Sequence, residues 1–375
     1  MREMTSWERV YAAFAHRQPD RMPVDLMGTA SCMKDEVYFG LLKALGLEGE
    51  GRVFREGNVR YYDPTLLDVL GVDFRRVWMR PVPWRPSPEQ DGTVIDEWGV
   101  RLKLVGGNWT AVQAPLADAV ISDLEKYAWP SPYEQGRLEG LAEEARHLRE
   151  TTTCAISARS PLYGMFETAQ RLRGMEQFLT DLLLDKPFAI ALIRKLTEVH
   201  MAFWDAYLDA VGPYVDMVEM SDDYGSQTGP LISPKTFKEI LAPSRKELHD
   251  FIKHKAPHVK IFLHTDGSII KLIPQLIEIG VEVLNPIEPD AAGNDALTLK
   301  KTFGSELIFH GHLDVKGAMR GSLDDVRAEI RRIVDIMAEG GGYIMSPTNH
   351  LQPDVPVENI IEAYRYAREY SQSKT

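Results

Sequence analysis

Short apolar runs and longer helical segments alternate along this chain from Pro130 to its end. The runs are continuously apolar, which is typical of parallel strands that helices cover on both faces of a sheet. With a further run at Met22–Met27, seven strands are visible. The pattern leaves two architectures: a closed (β/α)8 barrel, with an eighth strand in a less regular segment, or an open doubly wound sheet.

The chain contains neither GxGxxG nor GxxxxGK[ST], the phosphate turns that an open sheet of this class usually carries. The three glycines at 340–342 precede a strand, so they predict a helix end and a tight turn instead. We therefore predict an α/β fold, a (β/α)8 TIM barrel formed by residues 1–375 as a single domain. The predicted strands after Pro130 are Cys154–Ala158, Val215–Met220, Val259–His264, Val281–Asn285, Leu307–His310 and Gly342–Met345.

An N-terminal β-rich segment interrupts this pattern at about 66–130. Pro and Gly turns separate four short strands there, which we interpret as a β meander inserted into the barrel domain. The four strands are Phe74–Met79, Thr93–Trp98, Val100–Leu104 and Thr110–Gln113. The helices predicted around the barrel are 5–17, 132–150, 166–183, 187–211, 233–255, 268–279, 294–303, 322–338 and 356–371.

Charge and cysteine content indicate which class of partner the protein binds and in which cellular compartment it lies. The 43 Lys and Arg against 55 Asp and Glu give a net charge of −12, which disfavours a nucleic-acid partner. The two cysteines, Cys32 and Cys154, form neither a CxxC nor a zinc spacing. The first residues carry charges where a signal peptide is apolar, and no run reaches the ~18 apolar residues of a membrane span. We expect a cytoplasmic protein without membrane contact.

In a barrel of this type the chemistry lies at the carboxyl ends of the strands. Polar side chains that follow the predicted strands are therefore the candidate site residues. Many of them are acids or imidazoles. The full set is Asp25, Ser157, Arg159, Glu219, Asp222, Asp223, Tyr224, Gln227, His264, Asp266, Asn285, Glu288, His310, His312, Asp314, Ser346, Asn349, His350 and Gln352.

The segment KIFLHTDGS places His264 and Asp266 at the end of one strand. Residues i and i+2 of a strand point to the same face, so both side chains can aim at one point above the barrel. Imidazole and carboxylate are ligands for a divalent ion, and a catalytic zinc site needs three protein ligands and an open position. The alternative is a hydrogen bond between the two side chains that closes the turn.

Two later segments offer further imidazoles. IFHGHLD places His310, His312 and Asp314 at i, i+2 and i+4, where the histidines could supply a metal ligand or a general acid, or cap the following loop. SPTNHLQPDVP presents Asn349 and His350 on a loop stiffened by two prolines. His350 is therefore a candidate for the remaining metal ligand.

Three acids lie close together in VEMSDDYGSQTG, namely Glu219, Asp222 and Asp223. Acids at one strand end repel one another unless a metal, an arginine or a substrate amine lies among them. The alternative is that one aspartate caps a turn while the other faces solvent. The following Ser233 and Pro234 predict the start of a helix, as N-cap and first helical residue. The chain has no GxSxG and no HExxH, so covalent hydrolase chemistry is not supported.

Several blocks together resemble the uroporphyrinogen decarboxylase superfamily, and more closely its cobalamin-dependent, methyltransferase-like branch. The blocks are WERVYAAFAHRQPDRMPVD, SDDYGSQTGPLISPKTFKEILAP, FLHTDGSIIKLIPQLIEIGVEVLNPIEPDAAGNDALTLKKTFG and GGGYIMSPTNHLQPDVPVENIIEAY. The resemblance covers nearly the whole chain and implies a (β/α)8 barrel with its site at the carboxyl-terminal mouth.

Within the superfamily, true uroporphyrinogen decarboxylases carry an Arg-Gln-Ala-Gly-Arg block that grips porphyrin carboxylates, whereas this chain has LMGTASCM after DRMPVD. The methyltransferase-like branch moves methyl groups to or from a corrinoid protein. Its thiol-methylating members bind zinc through a His-x-Cys pair and a later Cys, positions that correspond here to His264, Asp266 and the region of Asn349 and His350. A His and Asp set is harder than two thiolates and suits an oxygen rather than a thiol.

The resemblance and these residues together predict an O-demethylating methyltransferase. Zn²⁺ would be held by His264, Asp266 and His350, with Glu219 or Asp222 as an additional ligand. The methyl group of a methoxylated, including aromatic, substrate would pass to cobalamin carried by a separate corrinoid protein. The assigned catalytic residues are Asp222, Asp223, His310 and His312, and the assigned substrate-binding residues are Arg159, Tyr224, Gln227 and Asn285. A homodimer is expected by family analogy.

Two other functions stay open. A cofactor-independent decarboxylase or lyase would hold a carboxylate with Arg159 or Arg171, protonate a carbanion with an acid such as Asp223, and need no metal. A non-enzymatic binding subunit of a demethylase complex would use the same acids only as structural turns. Metal content and turnover with a corrinoid partner separate the three.

Overall fold

The structure is a computed structural model that describes residues 2–26, 33–49, 52–55, 58–80, 89–106, 108–134 and 136–374. Met27, at the end of the first predicted strand, and Cys32 lie outside these residues. The strands are β1 (Met33–Lys34), β2 (Arg52–Arg55), β3 (Asn58–Tyr61), β4 (Phe74–Trp78), β5 (Val94–Ile95), β6 (Arg101–Val105), β7 (Asn108–Gln113), β8 (Ala155–Arg159), β9 (Met217–Ser221), β10 (Lys260–His264), β11 (Val283–Asn285), β12 (Ile308–Leu313) and β13 (Tyr343–Pro347).

The helices are α1 (Ser6–Phe14), α2 (Asp35–Leu45), α3 (Pro64–Leu70), α4 (Ile121–Leu124), α5 (Leu141–Thr151), α6 (Met165–Arg173), α7 (Met175–Leu184), α8 (Lys186–Val211), α9 (Pro234–Thr236), α10 (Ala242–Lys255), α11 (Ile273–Glu278), α12 (Ala296–Phe303), α13 (Leu323–Ile333) and α14 (Val357–Gln372). Two π-helical turns, Phe237–Leu241 and Val334–Ala338, extend α9 and α13. Within the described residues no helix combines the length and the apolar character that crossing a membrane would require.

One curved sheet of seven parallel strands forms the centre of the molecule, in the order β4, β8, β9, β10, β11, β12, β13. Each strand lies beside the next one in the chain, and helices connect most of them, as in a (β/α)8 barrel. The strands are buried almost throughout, which explains why they read as continuous apolar runs. The predicted fold class is confirmed.

A short extended segment closes the ring between β13 and β4. Val24 forms a parallel bridge with Met345, supported by hydrogen bonds from Asp25 N to Met345 O and from Met345 N to Pro23 O at 2.8 and 3.0 Å. On its other side, Asp73 N donates to Val24 O at 2.9 Å, directly before β4. The predicted strand Met22–Met27 is therefore reduced to a bridge, yet it occupies the eighth position of the barrel.

The assignment of Phe74–Met79 to the inserted meander was wrong, because β4 pairs in parallel with β8 as a barrel strand. Its two arginines, Arg75 and Arg76, are polar residues in a buried strand, and the sequence after it is rich in Pro, so the segment resembled an insertion in the sequence. The antiparallel meander consists of β5, β6 and β7. A second small antiparallel sheet contains β1, β3 and β2.

Local signals predicted some element ends correctly and missed others. Ser233 caps the helix at α9, because its hydroxyl accepts a hydrogen bond from Thr236 N at 3.0 Å. The glycine turn before β13 is confirmed, since Gly341 has φ +80° and a Cβ there would lie 2.4 Å from Arg17 O. The helix predicted over 132–150 begins only at Leu141, after turns that include Gly136. The helix predicted over 268–279 is shortened to α11.

Candidate metal centre at the barrel mouth

Three side chains converge where β9 and β10 end. His264 is the last residue of β10, Asp266 follows two residues later, and Asp223 follows the neighbouring strand β9. The Nε2 atom of His264 lies 3.4 Å from Asp266 Oδ1 and 3.8 Å from Asp223 Oδ1. One ligand atom from each residue lies within 4.8 Å of the other two. We call these three residues the acid–histidine triad.

Two hydrogen bonds join the loops that carry the triad. Asp266 N donates to Asp223 Oδ1 at 2.9 Å, and Ser268 N donates to Ser226 O at 2.8 Å. The contact is close because Gly225 has no side chain: a Cβ at this position would lie 2.4 Å from Asp266 O. The glycine therefore lets two strand-end loops approach until their acids share one space.

The triad is buried on its imidazole side and open on its carboxylate side. The His264 side chain is 5% exposed, whereas the side chains of Asp266 and Asp223 are 31% and 38% exposed. This difference means that a ligand can approach the carboxylates from the mouth, while the imidazole is held from inside the barrel. The His264 Nδ1 atom lies 2.6 Å from Asn285 Oδ1 on the adjacent strand β11.

The charges in the triad are not balanced. Burial lowers the pKa of His264, but the carboxylate of Asp266 together with that of Asp223 raises this pKa to about 9. Burial raises the pKa of Asp223, and Asp266 adds to that rise against the opposing effect of His264. The Oδ1 atom of Asp266 is buried, and its contact with His264 Nε2 at 3.4 Å is too poorly aligned to count as a hydrogen bond. One imidazole thus faces two acids, and a buried carboxylate oxygen has only this weak ion-pair contact, which is an arrangement that a cation stabilises.

Asp222, next in the chain to Asp223, has a different environment. Its carboxylate accepts hydrogen bonds from the backbone N–H groups of Phe166 and Glu167 at the start of α6, at 3.0 and 2.9 Å. Tyr224 Oη donates to it at 2.8 Å, and the buried Arg245 forms an ion pair with it. With these donors Asp222 holds α6, β9 and α10 together, and Tyr224 is buried beside it with no exposure to the mouth. The structure does not bring either side chain into the triad.

Glu219 and His350, the two further predicted metal ligands, do not belong to the triad. Glu219 is fully buried on β9 and accepts hydrogen bonds from Arg76, with Nε to Oε1 at 2.8 Å. His350 lies half-buried on the loop after β13; burial raises the pKa of Asp266, but His264 and, to a smaller extent, the charge of His350 lower it below its ordinary value. Asp223, which was predicted to be catalytic, lies beside His264 and Asp266 in the position that was predicted for Glu219 and His350.

The two histidines of β12 face opposite ways. His310 lies inside the barrel, where its Nε2 is 2.9 Å from Asp25 Oδ2 and its ring contacts Phe262 edge to face. His312 has φ +66° and lies on the outer side, with Nδ1 2.8 Å from Ile287 O and Nε2 3.3 Å from an Arg332 nitrogen. Neither imidazole contacts the acids of the triad.

The predicted substrate-binding residues are dispersed. Asn285 contacts the triad through His264. Arg159 ends β8 at the mouth and lies over the Trp78 ring, 4.9 Å from its centroid. The Gln227 side chain is exposed on the loop after β9, where the backbone carbonyl of the same residue accepts a hydrogen bond from Ala292 N at 2.9 Å.

Two polar residues of this region were missed by the sequence analysis. Glu167 lies in the first turn of α6, and burial together with the charges of Asp223 and Asp222 raises its pKa to about 8. Arg76 is buried inside the barrel, where it pairs with Asp25 and Glu219. A charged residue in an otherwise apolar strand was the available signal for Arg76, whereas no pattern in the chain marks Glu167.

Comparison with known proteins supports the same family as the sequence. Residues 93–370 match the family model described as uroporphyrinogen decarboxylase (URO-D). The uroporphyrinogen decarboxylase of Aliarcobacter butzleri (strain RM4018) is 24% identical over 175 residues, a match that spans 46% of this chain and 46% of that relative. A solved structure of a methyltransferase from Methanosarcina mazei superposes with a TM-score of 0.68 at 18% identity, covering 98% of this chain and 99% of the other.

Proposed function

We propose that this chain, which belongs to the uroporphyrinogen decarboxylase family, is a metal-dependent methyltransferase that moves a methyl group from a methoxylated substrate to a separate corrinoid protein. The observation that carries the proposal is the acid–histidine triad at the barrel mouth, where one imidazole faces two carboxylates and the buried Asp266 Oδ1 forms no well-aligned hydrogen bond. The likeness in fold to a methyltransferase agrees with this proposal.

The donor set of the triad fits zinc or a similar divalent ion. His264 offers an imidazole nitrogen and Asp223 and Asp266 offer carboxylate oxygens, which are three protein ligands and leave a position for substrate. When bound, the metal would supply a Lewis acid that polarises the ether oxygen of the substrate. Oxygen ligands favour this use over activation of a thiol, for which thiolate ligands are better suited.

The residues of the chain have separate tasks in this proposal. Asp223 and Asp266 would neutralise the charge of a bound metal, and their exposed edges leave access from solvent. His264 would hold the metal from the buried side, where its other ring nitrogen contacts Asn285. Asp222 keeps the strand end that carries Asp223 in place through its contacts to α6 and Arg245. We infer the methyl acceptor to be the cobalamin of a partner protein, on the resemblance to the corrinoid-dependent branch.

A decarboxylase is the second candidate. Arg159 at the carboxyl end of β8 is placed where it could hold a substrate carboxylate, and the curated relative is a uroporphyrinogen decarboxylase. Arg171, the alternative cation for this role, is paired with Asp96 at 2.9 Å. In this reading Asp223 would deliver the proton and no metal would be needed.

Metal content of the purified chain tests the proposal first. We expect about one zinc ion per chain, absent from a His264→Ala/Asp266→Ala variant. The matched control is His254→Ala/Asp250→Ala, which removes the same residue types from the exposed face of α10 and should retain the metal. No metal in the native chain, even after zinc is supplied, would contradict the metal-dependent mechanism and favour the decarboxylase.

Turnover tests the second half of the proposal. Methoxylated donors, aromatic ones included, are incubated with the zinc-loaded chain and a reduced corrinoid protein, and methylation of the cobalt is followed by its absorbance. We expect methylation that depends on the triad. Zinc binding without methylation of any corrinoid partner would overturn the methyl transfer while leaving the metal site standing.

A further inference from the structure

A row of buried polar side chains leads from His264 across the interior of the barrel. His264 Nδ1 lies 2.6 Å from Asn285 Oδ1, Asn285 Nδ2 lies 2.9 Å from His310 Nδ1, and His310 Nε2 lies 2.9 Å from Asp25 Oδ2. None of the four residues is more than 4% exposed. Because each contact joins polar atoms away from water, each needs one donor and one acceptor.

A backbone carbonyl determines the direction of these hydrogen bonds. Asn285 Nδ2 also lies 3.1 Å from His310 O, which can only accept. An amide oxygen at this place would put two acceptors in contact, so the Asn285 nitrogen must face His310. The Asn285 oxygen then faces His264, and the hydrogen between these two residues must be on His264 Nδ1.

The other end of the row gives the same direction. Burial raises the pKa of Asp25, but the Arg76 guanidinium and the hydrogen bond from His310 lower it below its ordinary value, so Asp25 is a carboxylate that only accepts. His310 must donate from Nε2, which leaves its Nδ1 free to accept from Asn285. Two independent acceptors, His310 O and the Asp25 carboxylate, thus orient the same amide.

We propose that Asn285 is a positioning residue: it holds the hydrogen of His264 on Nδ1 and leaves Nε2 free to bind a metal ion at the triad. This inference rests on the metal site of the proposed function. A histidine that binds a metal through one nitrogen commonly donates from the other, and loss of such a partner lowers metal affinity by about 10- to 100-fold. Asn285, assigned above to substrate, acts through His264 instead.

The first test measures zinc affinity by competition with a chromophoric chelator. Asn285→Leu removes the acceptor for His264 Nδ1–H, and we expect zinc affinity to fall by about 10- to 100-fold. Asn285→Asp retains an oxygen acceptor for His264 but places its second oxygen against His310 O, so its affinity should lie between those of Asn285→Leu and the native chain. The matched control is Asn359→Leu, which removes another buried asparagine, one that donates to the backbone carbonyls of Met319 and Gly321 and not to a residue of the triad, and should leave zinc affinity unchanged.

The second test observes the ring hydrogens directly. In the zinc-loaded native chain with ¹⁵N-labelled histidine, long-range ¹H–¹⁵N NMR should show His264 protonated at Nδ1 and His310 protonated at Nε2. A zinc ion on His264 Nε2 by itself requires the first of these forms, so the His310 form is the one that reports the direction of the hydrogen bonds through Asn285.

The outcomes separate this inference from the metal site itself. If the native chain binds no zinc, the proposed function fails. If the native chain binds zinc but His264 carries its hydrogen on Nε2, or if Asn285→Leu binds zinc as tightly as the native chain, the positioning role is wrong while the metal site stands. A His310 ring protonated at Nδ1 in the native chain would contradict the direction of the hydrogen bonds through Asn285, and with it the positioning role, even where a variant does not fold.

Discussion

The two ends of the barrel both contain buried acids, but they neutralise them differently. At the amino-terminal end, Asp73 accepts five hydrogen bonds, from Ser6, from Arg9 and Arg21 and from the backbone of Val24. At the mouth, the triad has one imidazole for two acids, and Asp266 Oδ1 has only a 3.4 Å ion-pair contact with that imidazole.

The comparison separates structural acids from functional ones without reference to any relative. An acid whose oxygens are all satisfied by arginines and backbone N–H groups contributes to folding and has no capacity left for a ligand. Acids held close together without enough cations raise the energy of the empty site and make binding of a cation favourable. The rule also distinguishes neighbours, since Asp222 is of the first kind and Asp223 of the second.

The largest effect should come from the amino-terminal end. Asp73→Ala leaves two arginines without their shared carboxylate, and we expect the free energy of unfolding to fall by about 3 to 5 kcal/mol in urea titrations. Asp324→Ala, which removes an acid that is 91% exposed, serves as the control and should change it by less than about 0.5 kcal/mol. Similar small losses of unfolding free energy for both variants would contradict the distinction between the two ends of the barrel.

A substitution in the triad at the mouth should lower zinc affinity. Asp223→Asn keeps an oxygen that can accept from Asp266 N but removes the charge, so we expect zinc affinity to fall by about 10- to 100-fold, or about 1.4 to 2.7 kcal/mol. Chelator competition measures the change. Asp250→Asn, on the exposed face of α10, is the control, and equal affinity in both variants would remove Asp223 from the site.

The stabilisation that Asp20 gives to the amino-terminal end should depend on pH. Burial raises the pKa of Asp20, but hydrogen bonds from Arg9 and the Met4 N–H outweigh it and lower this pKa below its ordinary value. The ionised form therefore stabilises the folded state above about pH 4, and this stabilisation is lost as the pH falls through the lowered pKa. Asp20→Asn should cost about 1 to 2 kcal/mol at pH 7.

The same pair of proteins, unfolded in urea at successively lower pH, checks the sign of this effect. The difference between native and Asp20→Asn chains should shrink below pH 4. A difference that grows on acidification would contradict the assignment of Asp20 as an ionised structural acid.

The smallest expected effect is a slight gain in the free energy of unfolding and not a loss. In the metal-free chain, Asp223→Asn removes a charge that Asp266 repels, so we expect the free energy of unfolding at neutral pH to stay equal or to rise by less than about 1 kcal/mol. Urea titration in the presence of a chelator measures it. A loss of several kcal/mol would mean that Asp223 is as structural as Asp73.

Much of the fold could be predicted because its signals are local. Continuous apolar runs predicted β8 to β13 to within three residues at each end, and Ser233 and the glycines before β13 predicted element ends. The site was predicted less well. His264 and Asp266 could be paired because two residues of one strand share a face, but Asp223 comes from another strand, 41 positions earlier than His264.

The amino-acid sequence by itself determined the alternation of strands and helices, the family and the histidine and aspartate at the end of β10, because each depends on residues close together in the chain. Only the tertiary structure decided that Phe74–Trp78 is a barrel strand, that Asp223 and not Asp222 faces His264, and that Asn285 and His310 hold the imidazole from inside. These depend on which side of a closed ring each side chain faces, and ring closure brings together residues as distant as Asp25 and His310.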